Sequence, residues 1–152
     1  MAALQSQLLM TLSIELGDSH MIGMTPTGRR RVDTVAGGRF EGPRLRGIVR
    51  AGGMDCLLER ADGSVRPDVR LVLCSEDGDE ILMQYEGIRH GPADVMRRLA
   101  AGEPVADADY YLRTTPRFET ASERLAWLNR VVAVGVGRRL PKGAEYTVFE
   151  IL

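Results

Sequence analysis

The stretch "PDVRLVLCSEDGDEILMQYEGIR", Pro67 to Arg89, decides the fold class. On its first half Asp68, Arg70, Val72 and Cys74 share one face and alternate with Val69, Leu71 and Leu73 on the other. On its second half Tyr85 shares a face with Ile81 and Met83. A period of two is the signature of a strand. Between the halves, "EDGD" places Asp77-Gly78 where a primed hairpin turn is expected, because glycine adopts the positive φ such a turn requires. Just upstream, "ADGS" at 61–64 repeats the signal, so the centre of the chain reads as an antiparallel meander.

Outward from that meander, β-type runs recur between Gly, Asp and Pro punctuation. Candidate strands are Leu9 to Leu16, Arg30 to Ala36, Leu45 to Arg50, Cys56 to Arg60, Val65 to Cys74, Ile81 to Ile88, Tyr110 to Glu119, Val131 to Val136 and Tyr146 to Leu152. Two segments break the pattern. "GPADVMRRLAAGEP" has Pro92 at a helix start, Val95, Met96 and Leu99 on one stripe, and a terminating Gly102. "ETASERLAWLNR" offers Thr120 or Ser122 as an N-cap and Leu125 and Leu128 on one face, which predicts a second short helix. Strands dominate and βαβ alternation is missing. The expected fold is therefore a single mainly-β domain over residues 1–152, an antiparallel, closed or nearly closed barrel of eight to nine strands with one or two short helices.

Composition excludes several functions. With 44% hydrophobic and 27% charged residues the chain is that of an ordinary globular protein, which disfavours both disorder and a membrane span. Basic and acidic residues cancel to a net charge of −1, leaving no global field for nucleic acid. All basic residues except Lys142 are arginine, so lysine chemistry is nearly excluded and guanidinium groups must do the cationic work. Cys56 and Cys74 sit in apolar strand runs, and with His20 and His90 the only histidines no metal-ligand spacing appears; no metal and no cofactor are expected. The N-terminal stretch lacks a basic region before its apolar residues, so a cytoplasmic location is expected. "GMTPTGRR" lacks the Lys-Ser/Thr of a phosphate loop, "VAVGVGRR" lacks the third glycine of a dinucleotide site, and no G-x-S-x-G elbow occurs. Gly135 and Gly137 are expected to bend a strand at a barrel corner. Arg29, Arg30 and Arg31 read as a solvated strand edge.

The segment "YYLRTTPRFET", Tyr110 to Thr120, raises the question of function. Tyr111, Arg113, Thr115, Arg117 and Glu119 share one face, and Tyr110, Leu112 and Phe118 share the other. Two readings stand. Either the polar face lies in solvent, the default for a half-buried strand, or it joins Asp68, Arg70 and Tyr85 inside the barrel as an acid, guanidinium groups and phenols that bind a carbonyl. Asp68 and Arg70 alone are consistent with a surface pair. Trp127 reads as core cover from the short helix.

The order Gly42-Pro43, Asp68-x-Arg70, Tyr85-x-Gly87, Tyr111-x-Arg113, Pro116-x-Phe118-x-Thr120 and Trp127-Leu128-Asn129-Arg130 resembles the bacterial and fungal family catalogued as domain of unknown function 3237, over nearly the whole chain. The resemblance implies an antiparallel barrel similar to allene oxide cyclase and lipocalin-like barrels, with a central cavity and frequent pairing into oligomers. It leaves the chemistry open.

Two functional classes follow. In the first the protein is a metal-free enzyme, an isomerase, cyclase or lyase, acting on a carbonyl-bearing or phenolic metabolite. Asp68 is then the general base, with Tyr111 and Arg113 stabilising an oxyanion and Arg70, Tyr85, Arg117, Trp127 and Asn129 lining the ligand site. In the second it is a non-catalytic ligand-binding or structural barrel in which arginines clamp a carboxylate. In either, the expected partners are a small molecule and a second copy in a homodimer, with neither nucleic acid nor membrane.

Overall fold

The computed structural model describes residues 2–152 and is a closed, antiparallel β-barrel with one α-helix. The strands are β1 (Ser6–Thr25), β2 (Gly28–Glu41), β3 (Arg46–Val49), β4 (Met54–Glu59), β5 (Val65–Arg66), β6 (Asp68–Ser75), β7 (Glu80–His90), β8 (Tyr111–Thr114), β9 (Arg117–Thr120), β10 (Val132–Leu140) and β11 (Gly143–Ile151), and helix α1 spans Ala93–Ala100. Strand β1 pairs with β2 and β11, β2 with β3 and β4, and both of these with β6. The β6–β7 pair, then β8 and β9 on β7, β8 on β10 and β10 on β11 complete the circuit. Closure leaves the wall no long unpaired edge.

Ten strands form this wall and the two-residue β5 is an extra piece, which corrects the expected eight to nine. The difference arises at prolines. Pro67 separates β5 from β6, and Pro116 with Thr115 separates β8 from β9, where single runs were expected. Proline has no N–H to give to the ladder, so strands break there.

Both Asp-Gly hairpins form, with Gly63 at φ 85° and Gly78 at φ 89°. They are not the expected primed turns. Gly63 N donates to Arg60 O and Arg60 N to Ser64 O; Gly78 N donates to Ser75 O and Ser75 N to Asp79 O. This is the longer hairpin, a turn followed by a left-handed glycine that makes a bulge.

The second expected helix is only a 3-10 turn, Ala126–Arg130. Side chains win the local competition for the backbone: Ser122 N donates to Thr120 Oγ1 at 3.2 Å and Leu125 N to Ser122 Oγ at 3.3 Å, holding turns where helical bonds would run. Helix α1 forms as expected, with Pro92 at its N-cap and Val95 and Leu99 buried. No helix among the described residues is long and apolar enough to cross a membrane.

Inward residues divide the lumen into two ends. Toward the start of β1 and the end of β2, Met10, Leu12, Phe40, Leu71, Leu73, Ile81, Met83 and Val148 are almost wholly buried and fill the space with apolar side chains. A register slip between Leu8 and Met10 lets Leu9 and Met10 both point inward. Gly135 and Gly137, expected at a bend, provide room within the wall: a Cβ on Gly137 would stand 2.6 Å from Tyr146 Cε1. The opposite end, across which α1 lies, is polar.

Candidate functional site

The polar end is assembled from side chains on five strands. On β2 and β4, Asp33 and Asp55 are register partners, 3% and 6% exposed, and both share the parity of core neighbours Val35 and Leu57. Asp55 partners Val69 on β6, and Val69 partners Tyr85 on β7, so two carboxyls and a phenol occupy one rung around the wall. Nearer the mouth are Arg31 on β2, Arg89 on β7 and Arg139 on β10. Tyr146 on β11 meets the Tyr85 ring edge-on at 5.1 Å between centroids.

Some of these groups are satisfied and others are not. Arg31 Nη2 lies 3.1 Å from Asp33 Oδ2, and Ser19 Oγ donates to Asp33 Oδ1. A register slip between Leu16 and Ser19 on β1 sets Ser19 opposite Asp33, an irregularity of the kind that re-aims side chains beside sites. Asp55 Oδ1 accepts a hydrogen bond from Asp68 N at 3.1 Å. Among the described residues, Arg89 and Arg139 have no ion-pair partner. The Nε atoms of Arg31, Arg89 and Arg139 and the Tyr85 hydroxyl are buried without a hydrogen-bond partner. Unsatisfied buried groups at this density call for a reason.

Electrostatics follow the burial. Desolvation pushes the Asp55 carboxyl up to about 6; the charge of Asp33 adds to the rise, while the Asp68 N–H and the charges of Arg139 and Arg89 oppose it. Arg89 is brought down to about 10, first by burial and then by the like charges of Arg139 and Arg31, and stays cationic at neutral pH. Burial raises the Tyr146 hydroxyl to about 12 and pushes the Tyr85 hydroxyl well up from its ordinary value, so both remain neutral donors.

Two cavities open onto this cluster beside α1. The larger, about 960 Å³, has Leu57, Val65, Ile88 and Met96 on its apolar walls and Arg31 and Arg89 at its base. The smaller, about 430 Å³, reaches Asp33, Arg31, Arg89 and Arg139. Arg31 and Arg89 line both. Asp55, Tyr85 and Tyr146 lie behind them, outside both linings.

The residues expected to form the site are elsewhere. Asp68, Arg70, Tyr85 and Arg117 do come together, around a hollow of about 150 Å³ that Gln84, Glu86 and Thr115 also line, but the hollow opens on the outer side of the wall. Of the two readings left open, the solvent-facing one describes Asp68, Arg70 and Arg117: Val69, Leu71, Leu112 and Phe118 take the inside, and the strand period sends the alternate residues out. The Asp68–Arg70 pair is loose, at 4.0 Å, and well exposed. Arg113 donates to Leu112 O and lies over the Tyr111 ring, 4.7 Å from its centroid. Tyr111 reaches the rim of the large cavity beside His90, the rings 5.0 Å apart. Asn129 is structural, holding Thr120 N and O with its side-chain amide. Trp127 packs on the core under the Arg44 guanidinium at the apolar end, far from the polar cluster along the strands. Of the expected set only Tyr85 faces the lumen cluster.

The family model described as "Protein of unknown function (DUF3237)" matches residues 4–151. The chain belongs to the DUF3237 family. Its relatives include a UPF0311 protein of Rhodopseudomonas palustris, 30% identical over 149 residues and covering 98% of this chain and 97% of the relative. The crystal structure of a conserved R. palustris protein of unknown function superposes with a TM-score of 0.96 at 30% identity, over 100% of both chains. A β-barrel-like protein of Acinetobacter baumannii superposes at 0.87 with 34% identity, over 100% of this chain and 98% of the other. An enzyme from Penicillium herquei shares the fold at 0.73 and 23% identity, over 100% of this chain and 97% of that one.

The polar cluster of this DUF3237 barrel was overlooked by sequence reasoning, although a local signal exists. Arg31 and Asp33 share strand parity with Val35, Asp55 with Leu57, and Arg89 with Ile81, Met83 and Tyr85. A charged residue in phase with core positions is an inward charge. Ending the seventh-strand run at Ile88 and assigning Arg31 to a solvated edge hid that phase.

Proposed function

We propose that this chain is a metal-free small-molecule enzyme of isomerase, cyclase or lyase type, acting at the polar mouth of the barrel on a carbonyl-bearing or phenolic metabolite. The observation that carries this is the buried Asp33–Asp55 pair beside guanidinium groups that lack carboxylate partners. A carboxyl near 6 is poised to accept and return a proton at neutral pH. In this reading Asp55, coupled to Asp33 at the cavity wall, holds the transferred proton. Arg139, which lines the smaller cavity, stabilises the enolate or phenolate oxygen that develops, a donor of this kind contributing about 3 kcal/mol when preorganised, and the Tyr85 hydroxyl supports it from behind the lining. The P. herquei relative is itself an enzyme, which lends support at the level of the fold.

The test needs no known product. The protein is incubated in D₂O with keto acids, lactones and phenols, and hydrogen exchange at acidic carbon positions is followed by NMR. Exchange with the wild type that Asp55→Asn removes is the expected result. Exchange by no compound above the Asp55→Asn level refutes it. One observation favours a second reading: Asp55 lies behind Arg89 and lines neither cavity. That suits a non-catalytic ligand-binding barrel. A homodimer belongs to both readings and is supported by exposed Leu8, Val132 and Val136 on the outer face of β1 and β10, both neighbours of β11. Sedimentation measures it.

A further inference from the structure

Arg89 is the most unusual group in the molecule. It is 6% exposed, has no ion-pair partner among the described residues, leaves Nε without an acceptor, and lines both cavities. An isolated buried charge is costly, so a cation held this way without a partner is arranged for an anion that arrives from solution. The nearby carboxyls do not fill that role. Asp33 is engaged by Arg31 and Ser19, and Asp55 takes the Asp68 N–H.

We propose that Arg89, with Arg31 beside it, is a clamp for a single carboxylate, and that the ligand is an amphipathic monocarboxylic acid whose apolar body occupies the larger cavity. This rests on the small-molecule site proposed above and names the class of compound it takes. Charge sets the sign of the ligand. Arg29, Arg31, Arg60, Arg89 and Arg97 line the larger cavity against the carboxylates of Glu59 and Asp62, so the lining is cationic on balance and favours an anion. Among the described residues Arg89 is the one buried guanidinium, and it lacks a carboxylate, a place for one anionic group. Geometry sets the head group, because a planar guanidinium fork matches a planar carboxylate with two parallel hydrogen bonds. The cavity sets the body: from Arg89 the larger opening runs past Ile88, Leu57, Val65 and Met96, a wall that rewards burial of an alkyl or aryl chain.

Calorimetric titration with 4-phenylbutanoate, its primary amide and acetate tests this on the wild type without any substitution. The acid is expected to bind about tenfold or more tightly than the amide, which has the same shape and no charge, and more tightly than acetate, which lacks the body. In Arg89→Gln acid and amide should bind alike, whereas Arg113→Ala, on the outer side of the wall, should keep the preference for the acid. Equal binding of acid and amide to the wild type, no binding of the acid, or an acid preference that survives Arg89→Gln overturns the clamp. The two proposals fail separately. Acid preference without Asp55-dependent exchange leaves the clamp standing and removes the enzyme; exchange of neutral lactones or phenols without acid preference does the reverse.

Discussion

Asp33 and Asp55 stand opposite each other on neighbouring strands, and both point into the barrel. Two carboxyls at one buried rung repel when both are ionised, and only Asp33 has a guanidinium in contact, at 3.1 Å. The asymmetry gives two identical side chains different surroundings: Asp33 is paired with Arg31, while burial raises Asp55 to about 6.

That shift has a measurable sign. Asp55 is about 6 in the fold against 3.8 for an ordinary aspartate, so the fold favours its protonated form. Its contribution is fully present below 3.8 and is lost as pH rises through about 6, an effect of about 3 kcal/mol. Asp79 works in the other direction: hydrogen bonds from Ser75 and Ser122, then Arg124, lower it to about 2, so its stability is present above 3.8 and lost as pH falls toward 2. The windows do not overlap. Urea unfolding at about pH 4 and about pH 7 should show wild-type stability falling by up to about 3 kcal/mol relative to Asp55→Asn, whose amide oxygen still accepts from Asp68 N.

Removing the partner of a buried charge and removing the charge itself should have opposite effects. Asp33→Ala leaves Arg31 without its carboxylate and is expected to destabilise by about 3 kcal/mol, while Arg89→Met exchanges an unpaired buried cation for an apolar chain and should be neutral or stabilising by about 1–4 kcal/mol. Thermal melts of both variants check this. Arg89→Met melting well below wild type would show that Arg89 has a protein partner in solution.

Tyr85 separates stability from function. Its buried hydroxyl has no partner of good hydrogen-bond geometry, only the nearby Tyr146 hydroxyl, so Tyr85→Phe should unfold no more easily than wild type, with a gain of up to about 1 kcal/mol. If the hydroxyl stabilises an oxyanion, the same variant exchanges substrate hydrogens about a hundredfold more slowly. A variant both more stable and fully active would remove Tyr85 from the mechanism.

Gly137 is needed for space. A Cβ there would stand 2.6 Å from Tyr146 and 2.8 Å from Leu112, both buried, so Gly137→Val should displace the Tyr146 ring and destabilise by about 1–3 kcal/mol or more. Near-ultraviolet circular dichroism and denaturant unfolding report the two effects. An unchanged spectrum and midpoint would show that the wall can yield there.

Outside the wall, Asp68→Asn and Arg113→Ala should each change stability by no more than about 0.5 kcal/mol and leave binding of 4-phenylbutanoate unaltered. Asp68 contributes to the lumen only through its backbone N–H, which the asparagine keeps. Loss of binding in either variant would return the site to the outer hollow.

By itself the sequence determined the antiparallel class, because Gly63 and Gly78 set left-handed turns between alternating runs, and Pro92 with Val95 and Leu99 set the one helix. These are local effects, complete within a few residues of chain. It also divided each strand into two faces, separating Tyr110, Leu112 and Phe118 from Tyr111, Arg113 and Arg117. Which face is inside was decided only when the wall closed, since a period of two is symmetric until burial breaks it. Closure put the apolar face of that strand inward and left the polar one in solvent. The same closure drew Arg31, Asp33, Asp55, Tyr85, Arg89, Arg139 and Tyr146 from β2, β4, β7, β10 and β11 to one end of the lumen. No spacing along the chain encodes that meeting, because its members are neighbours through cross-strand register and the curvature of the barrel, which exist only in three dimensions.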